Sequence, residues 1–368
     1  MKFLECMYNK KTLYFVSKCL TLSLEDKNRD EIEQQLKSKS VDWEDIVKFS
    51  TAHFVFPALY CNLKKVRLLK YLPGDLVNYM DHISSLNRKR NTKILLQARE
   101  INDLLLKKNI SFIFLKGTGN LLADIYDDIA ERMVGDIDFI ISKQDYSKAI
   151  TILRNFGYSD VHKNKYHLPN KKHYRRLKKE NTIAAIEIHK ELSGINKFSD
   201  KFNFKFVKKD SQVINGFRLL SYANKLNLSI ISNQIDDHGF KYRNIALRNA
   251  YDVFLLSKKT NAISAIKKLD KLYHPLNCFL SACHEIFNRT KSLEYIKNSK
   301  TNSYLNDFNS QFINIKKTRI KNKLIKAFLL WKYRINIIFN SLINKEYRDW
   351  TFEKLSSLDF YKKIFGLK

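Results

Sequence analysis

Glycine and proline are scarce, at 9 and 4 in 368 residues. That excludes a turn-rich, all-β architecture, which spends both residues at its tight reversals. The five cysteines, Cys6, Cys19, Cys61, Cys278 and Cys283, make an odd count, and none sits in a C-x-x-C pair. That pattern gives no sign of a thiolate metal site, and free, mostly buried thiols in a reducing cytosol are expected. Long apolar runs are missing too, each being short or broken by Lys and Arg, so no transmembrane helix is expected. The opening residues, MKFLECMYNKK, carry an early glutamate and no clean apolar stretch. No signal peptide is expected there, and the location is expected to be cytoplasmic. Acidic residues are outnumbered 37 to 67 by Lys and Arg, a net charge of +30. Such an excess points to an anionic partner: a nucleotide, a nucleic acid, a phosphorylated polymer or an anionic membrane surface. The chain is also rich in Lys, Asn and Ile, as AT-rich coding sequences make it, so charge alone selects no partner.

What is present is helical periodicity at both ends and strand periodicity between. Residues 1–108 read as a helical region. DWEDIVKFSTAHFVFPALYCNL places Ile46, Phe49, His53 and Phe54, then Ala58 and Leu59, at helical spacing, with Pro57 marking a kink or break. TKILLQAREINDLLLKKNI carries Ile94, Leu95, Ala98, Ile101, Leu104 and Leu105 on one face. Residues 109–222 read as a small α/β core. SFIFLKG is a buried strand ended by Lys116-Gly117, a helix is expected from about Asn120 to Asp127, and Ile137 to Ile141 is the next strand. Ser142 to Asp145 opens the helix DYSKAITILRNFGY, with Gly157 at its end. In TIAAIEIHKEL, Ile186 and Ile188 face one way and Glu187 and His189 the other. Residues 200–222 add short strands. Residues 223–368 read as helical, with Arg248 and Asp252 spaced as an i,i+4 pair. The late stripe Leu324, Phe328, Trp331, Ile335, Ile338 and Leu342 is expected to pack on the rest of the protein, with a peripheral membrane contact as the less favoured outcome. The fold class is α+β: a small mixed β-sheet with flanking N- and C-terminal helical regions.

The chemistry concentrates at RMVGDIDFII. Asp136 and Asp138 stand two residues apart at a strand edge, so their side chains share a face. Unpaired, such carboxylates repel and resist dehydration; a cation between them removes the conflict. Glu187 on a neighbouring strand supplies a third acid. Hard cations such as Mg²⁺ or Mn²⁺ take oxygen ligands, and two of them can hold both the attacking and the leaving oxygen of a phosphoryl displacement. Lys116-Gly117-Thr118, between strand and helix, suits close approach of a phosphate, although no G-K-[ST] follows at Walker spacing. Arg132 either contacts a triphosphate or pairs with Asp136 or Asp127. His189, on the face of Glu187, is a supporting group, a nucleobase contact or a satisfied sheet histidine. The basic loop His162 to Lys179, with Tyr166 and Tyr174, either closes over a polyanion or is solvated.

Taken in order, IxFLKG, a segment ending at Tyr126, R-x-x-G-D-I-D-F-I-I, a helix ending F-G-Y, and I-E-I-H resemble the uncharacterised nucleotidyltransferase family of the DNA polymerase β-like superfamily. The resemblance runs over roughly residues 40 to 260, including DDHGFKYRNIALRNAYDVFLL, and is most specific from Phe114 to Tyr158. It implies a nucleotidyltransferase core at 109–222. Gly117 and Thr118 take the place of the Gly-Ser turn, Asp136 and Asp138 that of the metal-binding pair, and Glu187 that of the third acid; Arg132 and His189 also match. Two departures stand out: Thr118 replaces the usual serine, and the gap from Gly117 to Asp136 is long for the superfamily, though normal for this branch. The implied activity is Mg²⁺- or Mn²⁺-dependent transfer of a nucleotidyl group from a nucleoside triphosphate to an acceptor hydroxyl, with pyrophosphate released. The acceptor (sugar, polysaccharide, small molecule, protein or RNA) is left open. The alternative is a catalytically silent protein of the same fold that binds RNA or another polyanion. A sugar-nucleotide glycosyltransferase using D-x-D is disfavoured, because those enzymes place D-x-D after a long α/β segment and here the preceding stretch is helical.

Overall fold

The computed structural model describes residues 9–161, 172–194 and 201–356. Among them are 16 helices and a seven-stranded mixed sheet, 63% helix against 8% strand, so the sheet is a small platform gripped by helices. The strands are β1 (Phe112–Phe114), β2 (Asp136–Ile141), β3 (Tyr158–Asp160), β4 (Leu177–Lys179), β5 (Ala185–His189), β6 (Gln212–Ile214) and β7 (Phe217–Leu219). Their order is β3-β4-β5-β2-β1-β7-β6. The centre is parallel where β2 meets β5, and β1 lies antiparallel to β2. Residues at the sheet centre alternate bulky aromatics: Phe114 meets Phe139 at 6.1 Å and Phe217 at 5.8 Å, both edge to face. The β6–β7 hairpin turns through Asn215 and Gly216, both at positive φ, the two-residue reversal that suits strand twist. These are the short strands expected within 200–222.

The helix Gly74–Lys107 decides where the central strands begin. Ile94, Ala98, Ile101 and Leu105 bury its apolar face. Its buried amides cap the loops that enter the sheet. Asn87 donates to the Ala130 carbonyl at 2.7 Å, and Asn91 to those of Ile129 and Arg132 at 2.6 and 2.7 Å. Gln97 donates to the Ala184 carbonyl at 2.9 Å, just before β5. Each bond gives a partner to a carbonyl of these entering loops, and the Arg132 carbonyl accepts from Asn87 as well, at 3.2 Å. One helix therefore sets the height of both β2 and β5.

Three expectations need correction or refinement. Of the kink or break expected at Pro57, it is the break that forms, and Pro57 opens the second helix: the helices are Trp43–Ala52 and Phe56–Lys65, with Phe54 at positive φ between them. The helix after β1 spans Lys116–Leu121, not Asn120 to Asp127. Lys116 adopts φ +48° and turns the strand straight into the helix, while Asp124 at φ +49° keeps the following chain out of it. The C-terminal stripe is the largest difference. On the helix Ile315–Ile343, Leu324 is 66% exposed, Trp331 64% and Leu342 71%, because the opposite face, carrying buried Asn322, is the one turned inward. No described helix is long and apolar enough to cross a membrane. Cys19, Cys278 and Cys283 are buried and Cys61 half-buried, all free; burial pushes the Cys278 thiol up to about 12, which leaves it inert. Cys6 lies outside the described residues.

Candidate active site

Strand alternation places Asp136 and Asp138 of β2 on one face, and register completes the arrangement. Asp138 stands opposite Glu187 and Asp136 opposite Ala185 across the parallel β2–β5 ladder. His189, two residues beyond Glu187, shares that face. Its Nε2 lies 2.8 Å from Asp138 Oδ1 and 3.6 Å from Glu187 Oε2. Lys116, swung into position by its left-handed backbone, sets Nζ 2.5 Å from Asp138 Oδ1 and 3.7 Å from Glu187 Oε2. Asp136 accepts from the Arg176 guanidinium, whose Nε is 3.7 Å from Glu187 Oε1. Three carboxylates on one sheet face are thus held by two cations and an imidazole.

The electrostatics follow from that crowding. Burial alone would raise the Asp138 carboxyl, but the Lys116 ammonium and the His189 ring more than offset it and hold it well below the usual carboxylate range. Glu187 is also lowered: burial opposes this, while His189 and Lys116 outweigh both burial and the repulsion of Asp138. Asp136 is raised by burial and by its acidic neighbours, beyond what Arg176 returns. Lys116 keeps a raised pKa despite burial because both acids face it. Asp138, Glu187 and His189 can each turn one ligand atom to a common point, all within 4.8 Å of one another. Two carboxylate oxygens and an imidazole fit a divalent cation, and the Lys116 ammonium occupies the place where positive charge is required. Asp136 belongs to the same face but not to that three-residue cluster.

The other expected site residues are placed differently. Thr118 is fully buried, and its hydroxyl donates to the Asp136 carbonyl at 3.1 Å, tying the helix start to the strand that bears the acids. Gly117 packs on Arg132: a Cβ there would stand 3.0 Å from Val134 Cγ2 and 3.6 Å from Arg132 Cζ. Gly119 is the tighter position, where a Cβ would meet the Phe114 carbonyl oxygen at 2.9 Å. Arg132 is buried and pairs with neither Asp136 nor Asp127. Its Nε and Nη2 donate to Asp252 Oδ2 at 3.2 and 3.0 Å, and Tyr126 donates to Asp252 Oδ1 at 2.7 Å. Asp252 therefore serves Arg132, and the surface or interhelix pair expected of Arg248 and Asp252 from their i,i+4 spacing is not formed. Arg248 instead lies over the Phe54 ring at 5.1 Å, and burial lowers its guanidinium to about 10.

Some residues of the site carried no distinguishing sign in the sequence. Arg176 is one of many cations in the basic loop, whose residues 162–171, Tyr166 among them, lie outside the described residues. The rest of that loop runs beside β5: the Tyr174 N–H donates to the Ile188 carbonyl at 2.7 Å, and β4 continues the pairing. Asp236 fastens it, accepting from Lys172 Nζ at 2.8 Å and from the Ser193 hydroxyl and Gly194 N–H at 3.0 Å each. Asp236 ends a π-helical turn, Ser232–Asp236, a local widening of the kind found at functional sites.

The platform of mixed strands thus brings an Asp-x-Asp edge, a facing Glu and a set of cations to one face. The model of the family described as uncharacterised nucleotidyltransferase matches residues 39–288, and the chain belongs to that family. No match is found among curated proteins. Among solved structures, the crystal structure of JHP933 from Helicobacter pylori is similar at 13% identity, with a TM-score of 0.30, over 64% of this chain and 97% of that one.

Proposed function

We propose that the chain is a divalent-metal-dependent nucleotidyltransferase that moves a nucleoside monophosphate group from a nucleoside triphosphate to an acceptor hydroxyl. The acceptor oxygen bonds to the α-phosphorus as the bond to the bridging oxygen breaks, and pyrophosphate leaves with that electron pair. One observation carries this reading: Asp138 and Glu187 are register partners on adjacent parallel strands, and the space between their oxygens is already claimed by an ammonium. The residues that would hold Mg²⁺ are Asp138 and Glu187, with Asp136 on the same face; His189 keeps Asp138 oriented or joins the ligands. Charge neutralisation on the triphosphate and acidification of the attacking hydroxyl are the chemistry the metal supplies when bound.

The chain's own residues divide the remaining work. Lys116 and Arg176 hold long cationic side chains over the carboxylates and are free to turn to phosphate oxygens once those carboxylates are otherwise neutralised. Glu187 takes the proton of the acceptor hydroxyl. Thr118 and the Arg132–Asp252 pair fix the strand from beneath and touch no substrate. The nucleotide base and the acceptor are read from experiment: each of ATP, GTP, CTP and UTP is incubated with Mg²⁺ or Mn²⁺ and cell extract, and pyrophosphate release is followed. Release with one nucleotide, lost in Asp136→Ala with Asp138→Ala, supports the reading and names the base. No release from any nucleotide, together with metal-independent RNA binding, assigns the chain to the silent polyanion-binding class.

A further inference from the structure

The helix Ile315–Ile343 carries eight Lys and Arg residues and no Asp or Glu. Leu324, Phe328, Trp331, Ile335, Ile338 and Leu342 are each at least 44% exposed. At 100° per residue they fall within a sector of about 80°, narrow and continuous along the helix. The packed side, with Thr318, Ile325 and Leu329 half-buried and Asn322 buried, is centred on the opposite side of the wheel. Lys321 and Lys332 border the stripe on one edge, Lys323 and Arg334 on the other. So long an apolar strip is unfavourable in water without a covering partner. The same helix is too charged to span a bilayer.

We propose that this helix docks on an anionic phospholipid surface, lying in the interface with its stripe among the acyl chains and its flanking cations at the headgroups. Charge selects this occupant over the others. A second copy facing the stripe would bring the two sets of flanking cations together with no acid on either copy of the helix to balance them. A nucleic acid would satisfy the cations but leave the aliphatic stripe in water, since stacking on bases is aromatic work. A lipid surface alone satisfies both: tryptophan and leucine enter the boundary, and the Lys and Arg stems reach back to phosphate. The stripe also meets the short helix Gly239–Tyr242, which follows the Asp236 turn. Lys241, in the short helix after Asp236, sets its ammonium 5.9 Å from the Phe328 ring centroid. Docking therefore holds the Asp236 turn near the headgroups, while the binding itself does not depend on nucleotidyl transfer.

The test is vesicle flotation of the full chain with phosphatidylcholine alone and with a two-to-one mixture of phosphatidylcholine and phosphatidylglycerol. The chain is expected to float with the mixed vesicles at least about tenfold more readily than with the neutral ones, and less so in high salt. Trp331→Glu with Leu342→Glu, both at exposed positions, is expected to cut that binding by more than about tenfold, two buried apolar side chains being lost to the interface. Its thermal midpoint should stay at the wild-type value, which shows that the fold is kept. Lys321→Glu with Lys332→Glu should weaken binding to the mixed vesicles only. Absence of flotation with the mixed vesicles at low salt overturns the proposal. So does wild-type flotation of the Trp331/Leu342 variant, and so does a dimer in light scattering that this variant dissociates.

Discussion

Asp252→Ala probes the buried pair beneath the site. Asp252 is 1% exposed and Arg132 7%, and the carboxylate accepts both guanidinium nitrogens and the Tyr126 hydroxyl. Removing it leaves an arginine charge buried with one remaining bond, from Nη1 to the Met133 carbonyl at 2.9 Å. Breaking a buried pair from one side costs about 3–5 kcal/mol, most of it the penalty of the stranded charge. Unfolding entropy of about 2 cal/mol/K per residue gives about 0.8 kcal/mol/K for 368 residues, so the midpoint should fall by roughly 4–6 °C. Thermal and urea unfolding of Asp252→Ala, Arg132→Met and the double variant give the coupling energy between the two residues. The same cycle with Arg248→Met should return less than half of it, because Arg248 makes no hydrogen bond to Asp252. A loss below about 1 kcal/mol for Asp252→Ala, or stronger coupling to Arg248 than to Arg132, would refute the pairing.

Burial pushes the Glu131 carboxyl up to about 7 from 4.5, despite bonds from the Tyr251 hydroxyl and the Asp128 N–H. The folded chain thus holds that proton more tightly than the unfolded chain does. The stabilisation is complete below about pH 4 and is lost as pH rises to about 7, roughly 3 kcal/mol in all. Glu131→Gln should flatten that slope in urea melts, and an unchanged slope would exclude Glu131 as its source. Lys116→Met removes the ammonium between Asp138 and Glu187. Its unfolding free energy should rise more on adding Mg²⁺ than the wild type's, by up to about 2.7 kcal/mol at a hundredfold excess over Kd, whereas that of Asp138→Asn should not respond. Equal shifts in all three would count against a cation there. Arg176→Ala should lower kcat/KM for the triphosphate by about 10²-fold. Arg175→Ala, which removes a guanidinium 3.7 Å from Asp160, should lower it by less than about threefold; comparable losses would remove the special role of Arg176.

Local patterns reported the parts of this site that lie within one element. Alternation put Asp136 with Asp138, and Glu187 with His189, because a two-residue period needs no tertiary information. The opposition of Asp138 and Glu187 is a matter of strand register between segments some fifty residues apart, which nothing local encodes. Arg176 was indistinguishable from its basic neighbours for the same reason: what selects it is β4 pairing with β5 and the anchoring of Lys172 by Asp236. Arg132 finds Asp252 across 120 positions, so helical spacing suggested Arg248 as the nearer and wrong partner. The C-terminal stripe shows the limit of periodicity most clearly. The 3.6-residue pattern marks one apolar face, but it does not say whether protein or something else covers it.

The central claim is that the β2–β5 face is a divalent-cation and triphosphate site. Electron paramagnetic resonance of free Mn²⁺, titrated with the protein and with each triphosphate in turn, tests it without requiring the acceptor. The account predicts that wild-type protein and one preferred nucleotide together deplete the free Mn²⁺ signal beyond what the nucleotide achieves alone. Asp138→Asn with Glu187→Gln should abolish that excess while leaving the fold intact by circular dichroism. An equal depletion in wild type and variant, or none in either, would contradict the claim and leave the three acids held only by Lys116, Arg176 and His189.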